Sequence, residues 1–79
     1  MEHFVLYWQL WNMNKFGERL KELRIECDKS RKTLAKELNV LERTISFWEL
    51  GQRECDFDML IKICRLFNVS ADYILGLED

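Results

Sequence analysis

The sequence predicts an all-α fold, a compact five-helix bundle with an apolar N-terminal extension. The 79 residues contain no proline and three glycines, so little in the chain opposes helix formation. Apolar residues recur at the helical period, and residues 15–79 lack the alternation typical of strands. The length allows one domain, and 48% hydrophobic content is enough for one core.

The first helix is predicted from about Lys15 to Cys27, because apolar residues recur there three and four positions apart. Its predicted inner face comprises Phe16, Leu20, Leu23 and Cys27. The chain has three cysteines, which match neither a disulfide framework nor a zinc-binding pattern. We therefore expect reduced thiols, with Cys27 and Cys64 in the core and Cys55 in a loop.

A second helix is predicted between Ser30, a suitable N-cap, and Leu38. Asn39 tolerates the left-handed conformation that ends a helix. The third helix then runs from about Glu42 to Leu50, before a glycine. The inward-facing residues of this pair are Leu34, Ala35, Leu38, Val40, Ile45 and Trp48. Two short helices joined in this way leave the outer surface of the later one free to enter a DNA groove.

A fourth helix is expected after Asp56 or Asp58, either of which can cap it, and is expected to end at Asn68. Its predicted inner face comprises Leu60, Ile63, Cys64 and Phe67. Ser70 caps a short fifth helix, which precedes a tail at residues 76–79. The fifth helix is expected to fold back on the bundle through Tyr73, Ile74 and Leu75.

The formal net charge of −2 does not by itself favour binding to nucleic acid, so its distribution matters more. Residues 15–53 carry ten Lys or Arg against seven Asp or Glu, whereas residues 54–79 carry two against six. The basic half contains the predicted helix-turn-helix, and the acidic half would face away from phosphate. This asymmetry permits DNA binding without requiring it.

Nothing in the sequence predicts an enzyme. His3 is the single histidine, no nucleophile lies beside a base in an evident motif, and there is no glycine-rich phosphate loop. We expect no cofactor, no metal site and no small-molecule substrate. The sequence has no secretory signal and no apolar run long enough to span a bilayer, so we expect a cytoplasmic protein without a membrane partner.

Four segments of residues 15–79 resemble the helix-turn-helix domain of the phage repressor and Cro family, also called the XRE family. They are FGERLKELR at Phe16–Arg24, LAKELNV at Leu34–Val40, TISFWELG at Thr44–Gly51 and FNVSADYILGLED at Phe67–Asp79. The resemblance covers about four-fifths of the chain. It implies a DNA-binding transcriptional regulator, more often a repressor than an activator. Such a protein reads the major groove of double-stranded DNA as a homodimer.

The resemblance implies that four residues of the third helix face base edges: Glu42, Arg43, Thr44 and Phe47. Arg43 is the strongest candidate, because a guanidinium can donate two parallel hydrogen bonds to guanine, although it can also be simply solvated. Thr44 contacts a thymine methyl or a phosphate, or bonds back into its own helix. Glu42 accepts from cytosine, or serves as the charge that a helix N-terminus favours.

Four further residues are expected to contact phosphates: Arg31, Lys32, Gln52 and Arg53. Arg31 stands where the family usually has a glutamine with that role. Phosphate contacts set register and affinity rather than sequence choice, and they make binding fall steeply with salt. The family also often pairs the residues equivalent to Arg24 and Glu49, which implies an ion pair that holds the first helix on the third.

Several residues depart from the family pattern. Leu41 replaces the usual capping hydroxyl, which is worth about 1 kcal/mol. Phe47 stands where an arginine or glutamine is usual, Leu50 replaces a polar residue, and Cys55 replaces a frequent proline. The predicted DNA-binding surface is therefore unusually apolar. Either it packs on thymine methyls, or the chain is a protein-binding helix-turn-helix module of the antitoxin or anti-repressor type.

Residues 1–14 form the predicted apolar extension, and residues 15–79 the DNA-binding domain. The apolar residues of the extension are Phe4, Val5, Leu6, Tyr7, Trp8, Leu10 and Trp11. They are too many for a solvated arm of a monomer. Three explanations remain open: a helical stripe of Phe4, Trp8 and Trp11 that covers the bundle, burial in a dimer partner, or a natural start at Met13.

Overall fold

The computed structural model describes residues 14–78 of the chain. The described residues form five helices and no strand, which confirms the predicted all-α bundle. The helices are α1 (Phe16–Glu26), α2 (Arg31–Leu38), α3 (Glu42–Glu49), α4 (Phe57–Phe67) and α5 (Ala71–Leu75). None of these helices is long and apolar enough to cross a membrane. The predicted extension, apart from Asn14, lies outside the described residues.

Polar side chains begin three of the helices where the sequence predicts them. Ser30, Asp56 and Ser70 each accept a hydrogen bond from the backbone N–H three residues later, at 3.0, 2.8 and 3.0 Å. Asp56, rather than Asp58, therefore caps α4. Asn39 and Asn68 end α2 and α4 in the left-handed conformation, with φ of 59° and 55°. These local signals determine where the chain reverses.

A single core joins all five helices. The largest fully buried side chains are Leu20, Leu34, Leu38, Ile45, Ile63 and Ile74. Phe16 of α1 packs edge to face against Trp48 of α3, with 6.1 Å between ring centroids. Leu60, Cys64 and Phe67 are half-buried against this core, on the face that the sequence predicts.

The prediction that Cys27 belongs to the core is wrong, because α1 ends at Glu26 and Cys27 lies exposed in the following turn. Asp28 reverses the chain there, with a φ of 57°. Cys64 is half-buried, and so is Cys55 in the loop between α3 and α4. Burial raises the pKa of the Cys55 thiol to about 11 and raises that of Cys64, so both thiols are neutral at neutral pH.

Gly17 allows α1 to contact the backbone at the end of α3. A Cβ at this position would clash with the carbonyl oxygen of Trp48 and would lie 3.0 Å from that of Glu49. Backbone atoms at a helix end cannot move aside as the tip of a flexible side chain can. The absence of a side chain at Gly17 thus fixes the distance between α1 and α3.

We predict that Gly17→Ala destabilises the fold by about 1–3 kcal/mol, because the added methyl group overpacks this contact. The direction of this change is informative, because alanine forms helices better than glycine by about 1 kcal/mol. Helix propensity alone would therefore predict that Gly17→Ala stabilises the fold. Urea denaturation measures the effect. Glu22→Ala, at an exposed position of the same helix, is the control and should change the free energy of unfolding by no more than about 0.5 kcal/mol. Equal stability of Gly17→Ala and the unaltered chain would contradict the close approach.

Candidate nucleic-acid interface

Helices α2 and α3 form the helix-turn-helix, and residues 39–41 join them. The N–H of Val40 donates to the carbonyl of Ala35 at 2.9 Å, which fixes the turn on the end of α2. Ile45 and Trp48 then face the core, with exposed fractions of 0% and 5%. Since these residues occupy the inner face of α3, its other face points outward.

All four residues expected to face bases lie on or beside this outward surface. Glu42 and Arg43 are exposed, and Thr44 and Phe47 are half-buried. The Arg43 guanidinium has no hydrogen-bond or ion-pair partner among residues 14–78. Within this part of the chain, nothing occupies the N–H donors of Arg43, so they can donate to a ligand. Leu41 is the N-cap of α3 and makes no capping hydrogen bond, because a leucine side chain has no acceptor atom.

Phe47 is covered by a side chain from the loop that follows α3. The Arg53 guanidinium lies over the Phe47 ring, 5.0 Å from its centroid. The N–H groups of Gln52 and Arg53 also donate to the Phe47 carbonyl, at 2.9 and 3.3 Å. The ring thus helps to hold an exposed cation beside the outward face of α3. The sequence did not reveal this contact, because Phe47 and Arg53 are six positions apart across a helix end.

A buried carboxylate joins α1, α2 and α3. The Glu49 side chain is 1% exposed, and its Oε2 accepts from Arg24 Nε at 2.7 Å. Its Oε1 accepts from Arg24 Nη2 at 3.1 Å and from Arg31 Nε at 3.0 Å. Arg24 also donates from Nη1 to the carbonyl of Lys29, at 3.0 Å. The Arg24–Glu49 pair that the family resemblance implied is present, in bidentate form.

The contact between Arg31 and Glu49 was not anticipated from the sequence. The sequence offered one signal for this contact. Arg31 is longer than the glutamine usual at this position, and its charge is opposite to that of Glu49. The Arg31 side chain is 40% exposed, and only its Nε has a partner among the described residues. Its two terminal nitrogens remain free to donate to a ligand there. Two arginines sharing one carboxylate leave this cluster with a charge of about +1.

Lys32, Gln52 and Arg53, the other residues expected to contact phosphates, are all exposed. Lys32 lies on α2 beside Arg31, and the other two lie in the loop after α3. Exposed donors thus occur both at the start of α2 and beyond the end of α3. The described residues contain no group of three His, Cys, Asp or Glu side chains arranged to hold a metal ion.

We predict that Glu49→Ala destabilises the chain by about 3–5 kcal/mol, because it leaves Arg24 buried without its counter-charge. Glu37→Ala is the matched control. It removes an ion pair with Lys29 of 2.6 Å, but the Glu37 side chain is 36% exposed, so the expected loss is below about 1 kcal/mol. Urea denaturation compares the two variants. Similar losses in both would mean that burial of Glu49 does not matter.

Comparison with known proteins agrees with this geometry. HTH-type transcriptional regulator ImmR of Bacillus subtilis is 40% identical over 63 residues, which are 80% of this chain and 50% of that protein. A transcriptional regulator from Listeria innocua has a similar structure, with a TM-score of 0.78 and 28% identity over 85% of this chain and 63% of that one. The restriction-modification controller protein C.AhdI from Aeromonas hydrophila has a TM-score of 0.68 and 28% identity, over 76% and 91% of the two chains.

The chain spans about half the length of the curated relatives it matches. A family model described as Helix-turn-helix matches residues 20–74, which are more than half of the chain. These residues extend from the middle of α1 to α5 and include the whole helix-turn-helix. The match confirms the resemblance on which the site residues were chosen. The chain therefore belongs to the XRE family of helix-turn-helix proteins.

Proposed function

We propose that this protein is a sequence-specific DNA-binding regulator of transcription that inserts α3 into the major groove of double-stranded DNA. The observation that carries the proposal is the outward face of α3, where Arg43 is exposed while Ile45 and Trp48 hold the opposite face in the core. A helix braced in this way presents side chains at fixed positions, as base recognition requires. The names of its relatives, a transcriptional regulator and a controller protein, agree with this role.

In this proposal the outward residues of α3 read sequence. Arg43 donates to the O6 and N7 atoms of a guanine, and Thr44 and Phe47 contact neighbouring bases or thymine methyls. Glu42 accepts from a cytosine amino group. Its carboxylate also lies in the first turn of α3, where a negative charge is favourable and partly offsets the missing cap at Leu41.

The residues at the two ends of the helix-turn-helix bind the DNA backbone. Arg31 is oriented by Glu49 through its Nε, so its terminal nitrogens can donate to one phosphate without reorganising the side chain. Arg53, held over the Phe47 ring, donates to another phosphate, with Gln52 beside it. Lys32 adds a third cationic contact. Because each neutralised phosphate releases counterions, binding weakens steeply as salt rises.

We further propose that the protein acts as a homodimer on a two-fold symmetric operator, and that it represses transcription by occupying that site. A symmetric dimer presents two copies of α3, which then reach major grooves about one helical turn apart. Following the family, we expect the dimer contact near Val69–Tyr73, at the junction of α4 and α5. In this proposal the protein binds DNA and catalyses no reaction, and its expected location is the cytoplasm.

We predict that selection from a random duplex library enriches an inverted repeat, and that variants of single residues affect its binding in two ways. Arg43→Ala should cost about 1–3 kcal/mol and relax the preference at one base pair of each half-site, because one side chain reads that pair. Lys32→Ala should weaken binding to all sequences alike and reduce the salt slope by about 1. Fluorescence anisotropy at several salt concentrations measures both effects.

Arg65→Ala is the control for these variants, because Arg65 is an exposed arginine on α4, outside the helix-turn-helix. It should leave the selected sequence unchanged and alter affinity less than Lys32→Ala does. Failure to enrich any duplex, with the protein folded by circular dichroism, would exclude sequence-specific binding. Equal loss of specificity in Arg43→Ala and Arg65→Ala would remove Arg43 from the base-reading set.

Sedimentation velocity tests the proposed dimer. The unaltered chain should sediment as a dimer at micromolar concentration, and Ala71→Glu should convert it to a monomer, because it places a charge at the expected contact. Lys21→Glu, which adds a glutamate on an exposed part of α1, should leave the dimer intact. A chain that remains monomeric while binding an inverted repeat would contradict the dimer, and an unaffected Ala71→Glu dimer would contradict its position.

A second candidate function is favoured by the apolar residues at the two ends of α3. Leu41 is 60% exposed and Leu50 is 67% exposed, whereas polar residues are expected on a surface that contacts DNA. This pattern favours a helix-turn-helix that binds a protein, of the antitoxin or anti-repressor type. The duplex selection decides between the two functions, because a protein-binding module enriches no DNA sequence.

A further inference from the structure

An apolar groove lies between the start of α1, the loop that precedes α4, and helices α4 and α5, and no residue of α3 lines it. Its apolar lining comprises Phe16, Cys55, Phe57, Leu60 and Leu75. The volume is about 140 Å³. A dry apolar cavity of about 150 Å³ holds a benzene-sized ring, so this groove, which we call the Phe57 groove, has room for one aromatic side chain.

The exposure of Phe57 is the most unusual feature of this surface. Its side chain is 83% exposed at the first position of α4, the highest value among the large apolar residues of the described part of the chain. A single exposed apolar residue needs no explanation, but an exposed phenyl ring beside an apolar groove indicates a binding surface. The groove and the ring together form one apolar patch.

The start of the described chain lies at this groove. Asn14 lines it, and Asn14 Nδ2 donates to Glu54 Oε2, another lining residue, at 2.8 Å. The N–H of Lys15 donates to the carbonyl of Leu75 at 3.2 Å. These two bonds hold Asn14 and Lys15 against the groove, so the described part of the chain begins beside it.

The preceding residues are of the kind that an apolar groove binds. Seven of the eight residues from 4 to 11 are apolar. Among the first thirteen residues, Glu2 is the one acidic residue, His3 is the one histidine, and there is no lysine or arginine. Trp11 is three positions before Asn14, and three residues span at most about 10 Å. The Trp11 ring is therefore within reach of a groove of the right size.

We propose that the Phe57 groove binds residues 4–11 of the same chain, with the Trp11 ring inside the groove and Trp8 against the exposed Phe57 ring. This choice selects the first of the three explanations left open by the sequence, a segment that covers the bundle. The same chain is favoured over a second copy because a tether of three residues gives an effective concentration in the millimolar range. The proposal does not depend on DNA binding.

Photo-crosslinking of the full chain identifies what occupies the groove. The photoreactive amino acid p-benzoylphenylalanine replaces Phe57, whose exposed side chain tolerates the change, and peptide mass spectrometry locates the crosslinks. An equal mixture of ¹⁵N-labelled and unlabelled chains distinguishes bonds within one chain from bonds between chains. The same amino acid at Ile25, which is 57% exposed on α1, is the control. We expect Phe57 to crosslink to residues 4–11 within one chain, and Ile25 not to.

Two results would overturn the proposal. Crosslinks that join labelled to unlabelled chains would make a second copy the occupant. Absence of crosslinks from position 57 to residues 4–11 would mean that the segment does not lie there. Either result is independent of whether the protein binds DNA.

Thermal denaturation tests the energetic part of the proposal. Trp11→Ala and Phe57→Lys should each lower Tm by about 4–8 °C, and combining them should cause little further loss, because both break the same contact. Ile25→Lys, an equivalent change on an exposed part of α1, should stay within about 2 °C of the unaltered chain. Additive losses in the double variant, or an unchanged Tm in either single one, would contradict a contact between Trp11 and the patch.

Discussion

The geometry of the proposed DNA-binding surface depends on one buried carboxylate. Glu49 is the last residue of α3, and its side chain binds arginines from α1 and α2 at the same time. An acidic side chain this deeply buried is costly unless it is paired, and here every acceptor oxygen has a cationic donor. Displacement of one of these helices from the other two would therefore leave a charge of this cluster buried without its partner. Gly17 adds a steric constraint at the same place, since α1 approaches the α3 backbone directly.

The same carboxylate connects the buried Arg24–Glu49 ion pair to the exposed surface of the helix-turn-helix. Arg24 is almost fully engaged by Glu49 and Lys29, whereas Arg31 is engaged through one nitrogen. The buried carboxylate thus orients a partly exposed guanidinium at the start of α2. Phe47 does the same for Arg53 beyond the end of α3, through its ring. In both cases an ordered neighbour lowers the conformational entropy that a long cationic side chain loses when it binds a phosphate.

The sequence predicted the features that local chemistry controls. Ser30 and Asn39 begin and end α2 through hydrogen bonds and backbone conformation within a few residues, so the pattern of residues suffices. Cys27 was misplaced because a face defined by spacing continues only as far as the helix does, and α1 stops one residue earlier. Arg31–Glu49 and Phe47–Arg53 depend on how helices and loops pack. The spacing of residues along the chain does not determine how helices and loops pack. Contacts with bases depend in addition on the DNA duplex.

The net charge of −2 is compatible with a DNA-binding surface because charge acts over short distances in salt. At physiological ionic strength the screening length is about 8 Å, so a phosphate responds to the side chains that touch it more than to the whole protein. Arg31, Arg43 and Arg53 all belong to the helix-turn-helix or the loop that follows it. Residues 54–79 carry the acidic excess: Glu54, Asp56 and Asp58 lie just before or at the start of α4, Asp72 lies in α5, and Glu78 and Asp79 follow α5 in the sequence. Because acidic side chains repel phosphate, we expect the α4 and α5 half of the domain to disfavour an approach of DNA from that half.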